Sequence, residues 1–317
     1  MLDPGDRSVF TESLRPPPGF RLDRVIATTY TLDLVALLTL PLSFTLLAGD
    51  GMNESGRVDP IALLEALRRY ADRLYVFCDS SHIAVPKRGQ LLFGYLEKSV
   101  IEAKAPKGGA FHPKVTVVRY ILDQSDPIWA REEKPADDRI RYRVLCGTRN
   151  LTFDRSWDTM LAIDGELVMD RARAFSRNHP LSRFIKSLPG LAVRSLPESQ
   201  VAAIDQVADE LLRVNFVPPE GFGKERDDLA FWPIGLDEKE VWPFEVRKDD
   251  RELDRLLVVS PFVDKTCIEW LQDECEICTL VSRPEELDLL PTVAFDGISS
   301  KYMLTDAAEV EPAEEAS

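Results

Sequence analysis

The chain has 317 residues, 44% hydrophobic and 29% charged. That is the make-up of an ordinary globular protein of one large domain or two, and it excludes collagen-like, wholly disordered and disulfide-scaffold architectures. Its 54 acidic and 39 basic side chains leave a formal charge of −15, so the field of the whole molecule opposes nucleic acid and anionic membranes except where bases cluster locally.

In chain order, residues 1–22 read as a proline-rich N-terminal arm containing Pro16-Pro17-Pro18. Its opening, Met1-Leu2-Asp3, lacks the basic flank and apolar core of a secretory signal, which points to the cytoplasm. Residues 23–215 read as one unit. Val25 to Thr29 is a strand; Asp33 caps a helix starting at Leu34; and Pro60 to Arg73 carries Ile61, Leu63, Leu64 and Leu67 at helical spacing. The apolar run Leu34 to Ala48 has only 15 residues and is interrupted by Pro41, Ser43 and Thr45. A spanning helix needs roughly 20, so this run reads as core and no membrane partner is expected.

Further strands are expected at Leu74 to Cys78, Ala110 to Leu122 and Arg141 to Gly147, with a closing strand at Thr159 to Ile163. Helices are expected at Leu167 to Ser187 and Glu198 to Val214. This alternation predicts an α/β fold, a mixed sheet flanked by helices. Residues 216–252, with four prolines, read as a connection. Residues 253–304 read as a partial second unit, because Arg255 to Asp264 repeats the pattern of Arg24 to Asp33 231 positions later. Residues 305–317 form an acidic tail without a base, expected to be disordered.

Between Ser81 and Tyr120, seven bases (Lys87, Arg88, Lys98, Lys104, Lys107, Lys114, Arg119) face two acids, Glu97 and Glu102. This stretch is the expected track for weak nucleic-acid binding through phosphate charge. The odd, sparse set of five cysteines, Cys78, Cys146, Cys267, Cys275 and Cys278, favours a reducing compartment, and Cys78 and Cys146 sit in segments that read as buried strands. Cys275 and Cys278 form a lone C-x-x-C two ligands short of a closed zinc site, so neither metal nor other cofactor is expected.

The chemistry concentrates in two segments. His112 and Lys114, two apart on the expected strand ending at Leu122, would project to one side. There an imidazole can attack phosphorus and an ammonium can neutralise phosphate oxygens. Gly147-Thr148-Arg149-Asn150-Leu151-Thr152 follows another strand and presents a hydroxyl and an amide. An H-x-K followed by Gly-Thr-x-Asn after a strand resembles the half-site of the phospholipase D-like superfamily, over roughly Arg24 to Asp164.

That resemblance implies a mixed sheet flanked by helices, and a metal-independent phosphodiesterase that uses one histidine from each of two units. It makes His112 nucleophile or general acid, assigns phosphate to Lys114 and Asn150, and gives Thr148 support of the turn and phosphate contact. Asp158 is the nearest counterpart of the family's trailing acid. Arg119 stands where the family often has aspartate, and 32 residues separate Lys114 from Gly147. The only other histidines, His82 and His179, belong to no second H-x-K. The missing half-site is therefore expected from a missing C-terminal half, a second copy or a partner subunit, with His82 as a further possible site residue. The expected function is a phosphodiesterase acting on nucleic acid or within a nuclease or defence assembly. The alternative is a catalytically silent scaffold that binds phosphate or nucleic acid.

Overall fold

The computed structural model describes residues 10–48, 59–86, 91–123, 140–153, 158–170, 172–219, 222, 229–236, 253–265, 268–269 and 275–304. The chain divides into two units, Met1–Glu240 and Val241–Ser317. The acidic tail, Lys87, Arg88 and Cys267 lie outside the described residues.

The first unit is α/β. Its sheet comprises β1 (Phe20–Thr29), β3 (Leu74–Asp79), β5 (Val100–Ala103), β6 (Val115–Leu122), β7 (Ile140–Gly147), β8 (Met160–Leu167) and β9 (Val214–Val217), in the spatial order β5-β3-β1-β6-β7-β8-β9. The first three neighbours are parallel; from β1 across to β9 every pairing is antiparallel. A small parallel pair, β2 (Leu32–Asp33) with β4 (Ile83–Ala84), sits beside it.

Successive strand residues face opposite sides, and β1 is buried on both. Val25 and Ala27 join Leu74 and Val76 beneath α2 (Leu34–Ala48) and α3 (Pro60–Ala71), while Ile26 and Phe77 join Val117, Val144 and Phe216 beneath α4 (His179–Leu191) and α5 (Glu198–Leu211). This double burial explains the unbroken apolar reading of the segment. The cap expected at Asp33 forms, the Val35 N–H donating to Asp33 Oδ1 at 2.7 Å, and α3 has a cap of its own, the Ile61 N–H donating to Asp59 Oδ1 at 2.9 Å with Pro60 in the first turn. Each satisfies an otherwise orphaned helix donor.

Four expectations change. Residues 10–22 are no separate arm: α1 (Phe10–Ser13) leads into a fully buried Leu14, whose carbonyl accepts the Tyr120 hydroxyl at 3.0 Å, and β1 starts at Phe20. The strand expected from Ala110 begins only at Val115, because Pro113 has no N–H for a ladder and the Thr28 hydroxyl takes the Val115 N–H at 3.0 Å. The helix expected from Leu167 begins at His179, with Pro180 opening it; Leu167 instead ends β8. Cys146, near the end of β7, is exposed, whereas burial pushes the Cys78 thiol up to about 12.

Arg119 lies in the layer between the sheet and α5. It is 7% exposed and donates to both Glu210 carboxylate oxygens at 2.8 and 3.1 Å and to Asp23 at 2.6 Å. Glu210 also accepts the Tyr142 hydroxyl at 2.5 Å and the Gln206 amide at 2.9 Å. Burial alone would raise the Glu210 carboxyl, but these donors outweigh it and hold it below its ordinary range.

The second unit has a three-stranded parallel sheet, β10 (Leu253–Val259), β11 (Cys275–Ser282) and β12 (Ser300–Met303), in that order. Its strands pair in parallel in chain order, as β1, β3 and β5 do in the first unit. Val263, Ile268, Cys278, Leu280, Phe295 and Ile298 form its core. Cys278 of the C-x-x-C motif is thus a packing residue of this unit.

Candidate active site

The topology brings several chain turns to one end of the first sheet. Parallel β1 and β3 have their carboxyl ends there. Antiparallel β6 has its amino end there, and β7 its carboxyl end. Tyr30, Asp79, Lys114 and Gly147 therefore follow or precede neighbouring strands at one edge, the edge where open α/β sheets place ligands. The Gly147 N–H donates to the Lys114 carbonyl at 3.0 Å, fixing the two motif segments against each other.

Lys114 Nζ lies 3.0 Å from His112 Nδ1 and 3.3 Å from Nε2. The two side chains meet although their segment is extended chain ahead of β6. Desolvation first, then the Lys114 charge, holds the His112 imidazole below the usual histidine range. Burial also lowers the Lys114 ammonium. Both shifts favour the uncharged forms of the two groups.

Tyr30 contacts both Asn150 and His112. The Tyr30 N–H donates to Asn150 Oδ1 at 3.2 Å, and the Tyr30 ring lies 4.7 Å, centroid to centroid, from that of His112. With Oδ1 engaged by the backbone, the Asn150 amide nitrogen is the end that can serve a ligand. Leu151 is fixed in turn by its N–H to Thr29 Oγ1 at 3.0 Å. Thr148 and Asp158 form a separate pair at the start of the turn. The Thr148 hydroxyl donates to Asp158 Oδ1 at 3.1 Å and accepts the Thr159 N–H at 3.0 Å, while Arg149 approaches Asp158 at 3.5 Å. These contacts shape the loop that carries Asn150.

His82 belongs to the cluster. Its Nδ1 lies 2.9 Å from Asp79 Oδ1, its Nε2 lies 2.7 Å from the Tyr30 hydroxyl, and its ring is 4.0 Å from the Tyr30 ring. Its backbone is held on both sides, the N–H by the Asp79 carbonyl at 3.1 Å and the carbonyl by the Leu32 N–H at 2.9 Å. Asp79 also accepts the Ser81 N–H at 3.0 Å and the Phe111 N–H at 3.2 Å. Burial would raise its carboxyl, but the His82 contact and these amide donors keep it below its ordinary range. Sequence reading missed Tyr30 and Asp79. The available signal was positional: each directly follows or ends an apolar parallel strand.

His179 opens α4 and is no part of the cluster. The basic stretch is not one surface. Arg119 is consumed by Glu210 and Asp23, and Lys114 sits in the site; Lys98 and Lys104 are exposed. Among the described residues, no group of three or more histidine, cysteine or carboxylate side chains is placed to hold a metal ion, and no helix is long and apolar enough to cross a membrane.

No protein-family model matches the chain, and no curated protein matches it. Among solved structures, two mutant forms of yeast tyrosyl-DNA phosphodiesterase align with it at 12% and 10% identity, both with a TM-score of 0.35. The alignments cover 62% and 64% of this chain but only 36% of the yeast chain, so the similar part spans little more than a third of that enzyme. At that level the alignment assigns neither family nor activity.

Proposed function

We propose that this chain is a phosphodiesterase of phospholipase D type that acts on a nucleic-acid backbone without a metal ion. The observation that carries the reading is the contact of His112 with Lys114 at one end of the strands of a mixed sheet, one tyrosine away from Asn150. In the reaction an imidazole nitrogen of His112 attacks phosphorus and displaces one ester oxygen, and water then releases the phosphoryl group from His112. Lys114 and the Asn150 amide hold the nonbridging oxygens as charge gathers on them. Thr148 and Asp158 hold the Asn150 loop. Lys98 and Lys104 supply the sequence-independent attraction for the backbone.

The test is cleavage of end-labelled single- and double-stranded DNA and RNA in EDTA, paired with alkaline quenching and mass spectrometry of the His112 peptide. The expected result is metal-independent cleavage with a phosphoryl adduct on His112, both absent in His112→Ala. Salt-sensitive binding with neither cleavage nor adduct would replace this reading with the scaffold role.

A further inference from the structure

A phosphohistidine mechanism needs a second group to protonate the departing oxygen, and the chain contains a single H-x-K. From the contacts around Tyr30 we infer that the proton comes from within the same unit: Tyr30 is the general acid, and His82, oriented by Asp79, recharges it. The inference rests on the phosphodiesterase reading.

The geometry is that of a relay. Asp79, His82 and the Tyr30 hydroxyl form an unbroken line of contacts at 2.9 and 2.7 Å. The Tyr30 ring lies against both imidazoles, 4.0 Å from His82 and 4.7 Å from His112. The Asp79 carboxylate sets His82 on one oxygen and, through the Phe111 N–H on the other, the residue preceding His112. An acid and a nucleophile held by one carboxylate keep a fixed separation, which in-line displacement requires. A carboxylate, Asp79, stands beside His82 Nδ1, whereas an ammonium, Lys114, stands beside His112.

The step balances. As the His112 nitrogen forms its bond to phosphorus, the bond from phosphorus to the leaving oxygen breaks and its electron pair stays on that oxygen. That oxygen takes the Tyr30 hydroxyl proton, while the tyrosine oxygen takes the Nε2 proton of the His82 imidazolium. In the second step a water oxygen attacks phosphorus and the bond to His112 breaks. The water proton passes to the Tyr30 oxygen, whose own proton returns to His82 Nε2. The enzyme is restored, and the net reaction is hydrolysis of one ester bond.

A true acid matters only when the leaving group needs its proton. The experiment therefore compares Tyr30→Phe, His82→Asn and Asp79→Asn with the native chain on two substrates. One is a dinucleotide, whose leaving alkoxide is strongly basic; the other is a p-nitrophenyl phosphodiester, whose leaving phenolate needs no proton. Expected is a fall of about 100-fold or more in the first-turnover rate of leaving-group release from the dinucleotide for Tyr30→Phe and His82→Asn, with under about 5-fold loss in the nitrophenolate burst rate and an unchanged Tm. Asp79→Asn should show the same selectivity with a smaller loss.

Equal losses in the first-turnover rate on both substrates would reduce Tyr30 and His82 to structural supports and overturn the relay. So would a dinucleotide rate indifferent to Tyr30. Recovery of activity on mixing His112→Ala with His82→Asn chains would instead place the acid on another subunit. Absence of both turnover and His112 adduct in the native chain would refute the phosphodiesterase reading itself, whereas an adduct with normal dinucleotide rates in the variants would refute the relay alone.

Discussion

Replacing Glu210 by leucine should be among the most damaging single changes in the first unit. Glu210 is 8% exposed and accepts four hydrogen bonds, two from Arg119 and one each from Tyr142 and Gln206. Removing one partner of a buried ion pair costs about 3–5 kcal/mol. Asp23 keeps its 2.6 Å contact with Arg119, which sets the guanidinium share near the low end, about 3 kcal/mol. The Tyr142 hydroxyl, 1% exposed as a residue, loses its acceptor and adds about 1 kcal/mol. The total, about 4 kcal/mol, is a large part of the 5–15 kcal/mol by which domains are typically stable. Urea unfolding followed by far-ultraviolet circular dichroism measures it, with the slope checked against the native chain. The triple replacement Arg119→Met, Tyr142→Phe and Glu210→Leu removes the three buried members together and leaves only Asp23, 21% exposed, and the exposed Gln206, which water can serve, so it should return to within about 1 kcal/mol of native stability. A single-variant loss under about 1 kcal/mol, or a triple variant no better than the single, would refute the account of this network as a buried, mutually dependent set.

The same network gives a pH dependence. The folded Glu210 carboxyl lies below its unfolded value, so its contribution is complete above about pH 4.5 and is lost as pH falls through the folded value; acid unfolding of Glu210→Leu should be correspondingly flatter in that range. For activity, the lowered His112 imidazole predicts a kcat/KM profile whose acid limb lies below the usual histidine midpoint of about 6.5. In Lys114→Met that limb should move upward, and an unmoved limb would contradict the assigned electrostatic coupling. The same variant should lose roughly 100-fold in kcat, about 3 kcal/mol of transition-state stabilisation, measured under EDTA with saturating substrate. Finally, a Cβ at Gly165 would stand 2.5 Å from Val214 Cγ1 and 2.8 Å from Phe216 Cδ1. Gly165→Ala should cost about 1–3 kcal/mol by overpacking the seam between β8 and β9, read as a lowered urea midpoint.

What the sequence made legible follows from where local rules are sufficient. Asp33 caps a helix with its own neighbours, and Ile61, Leu63, Leu64 and Leu67 recur at helical spacing, so α2 and α3 could be read from position and periodicity. The H-x-K pair was visible as a motif, and its two side chains do meet, but the strand around it was overextended because Pro113 ends the ladder. The end of β8 was lost because Gly165 interrupts its apolar alternation; the reason for that glycine lies 49 positions on, in Val214. Tyr30 and Asp79 are likewise 49 residues apart, and only the parallel pairing of β1 with β3 brings the Tyr30 hydroxyl and the Asp79 carboxylate to the same imidazole. Arg119 looked like an open base because its two carboxylate partners, Asp23 and Glu210, come from opposite ends of the unit.

The cluster at the sheet edge draws its side chains from Tyr30 to Asn150, a span of 120 positions, and this spread has a temporal meaning during synthesis. β1 is made first but must wait for β3 to place Asp79 and His82, then for β6 to bring in His112 and Lys114, and last for β7 and the turn that carries Asn150. At about 5–20 residues per second, roughly 6–24 s pass between the appearance of Tyr30 and that of Asn150. Throughout that interval the growing polypeptide holds separate, unassembled reactive groups. The order of strands in the chain therefore acts as a clock: the cluster cannot close before Asn150 has emerged, while β8, α4, α5 and β9 are still to follow.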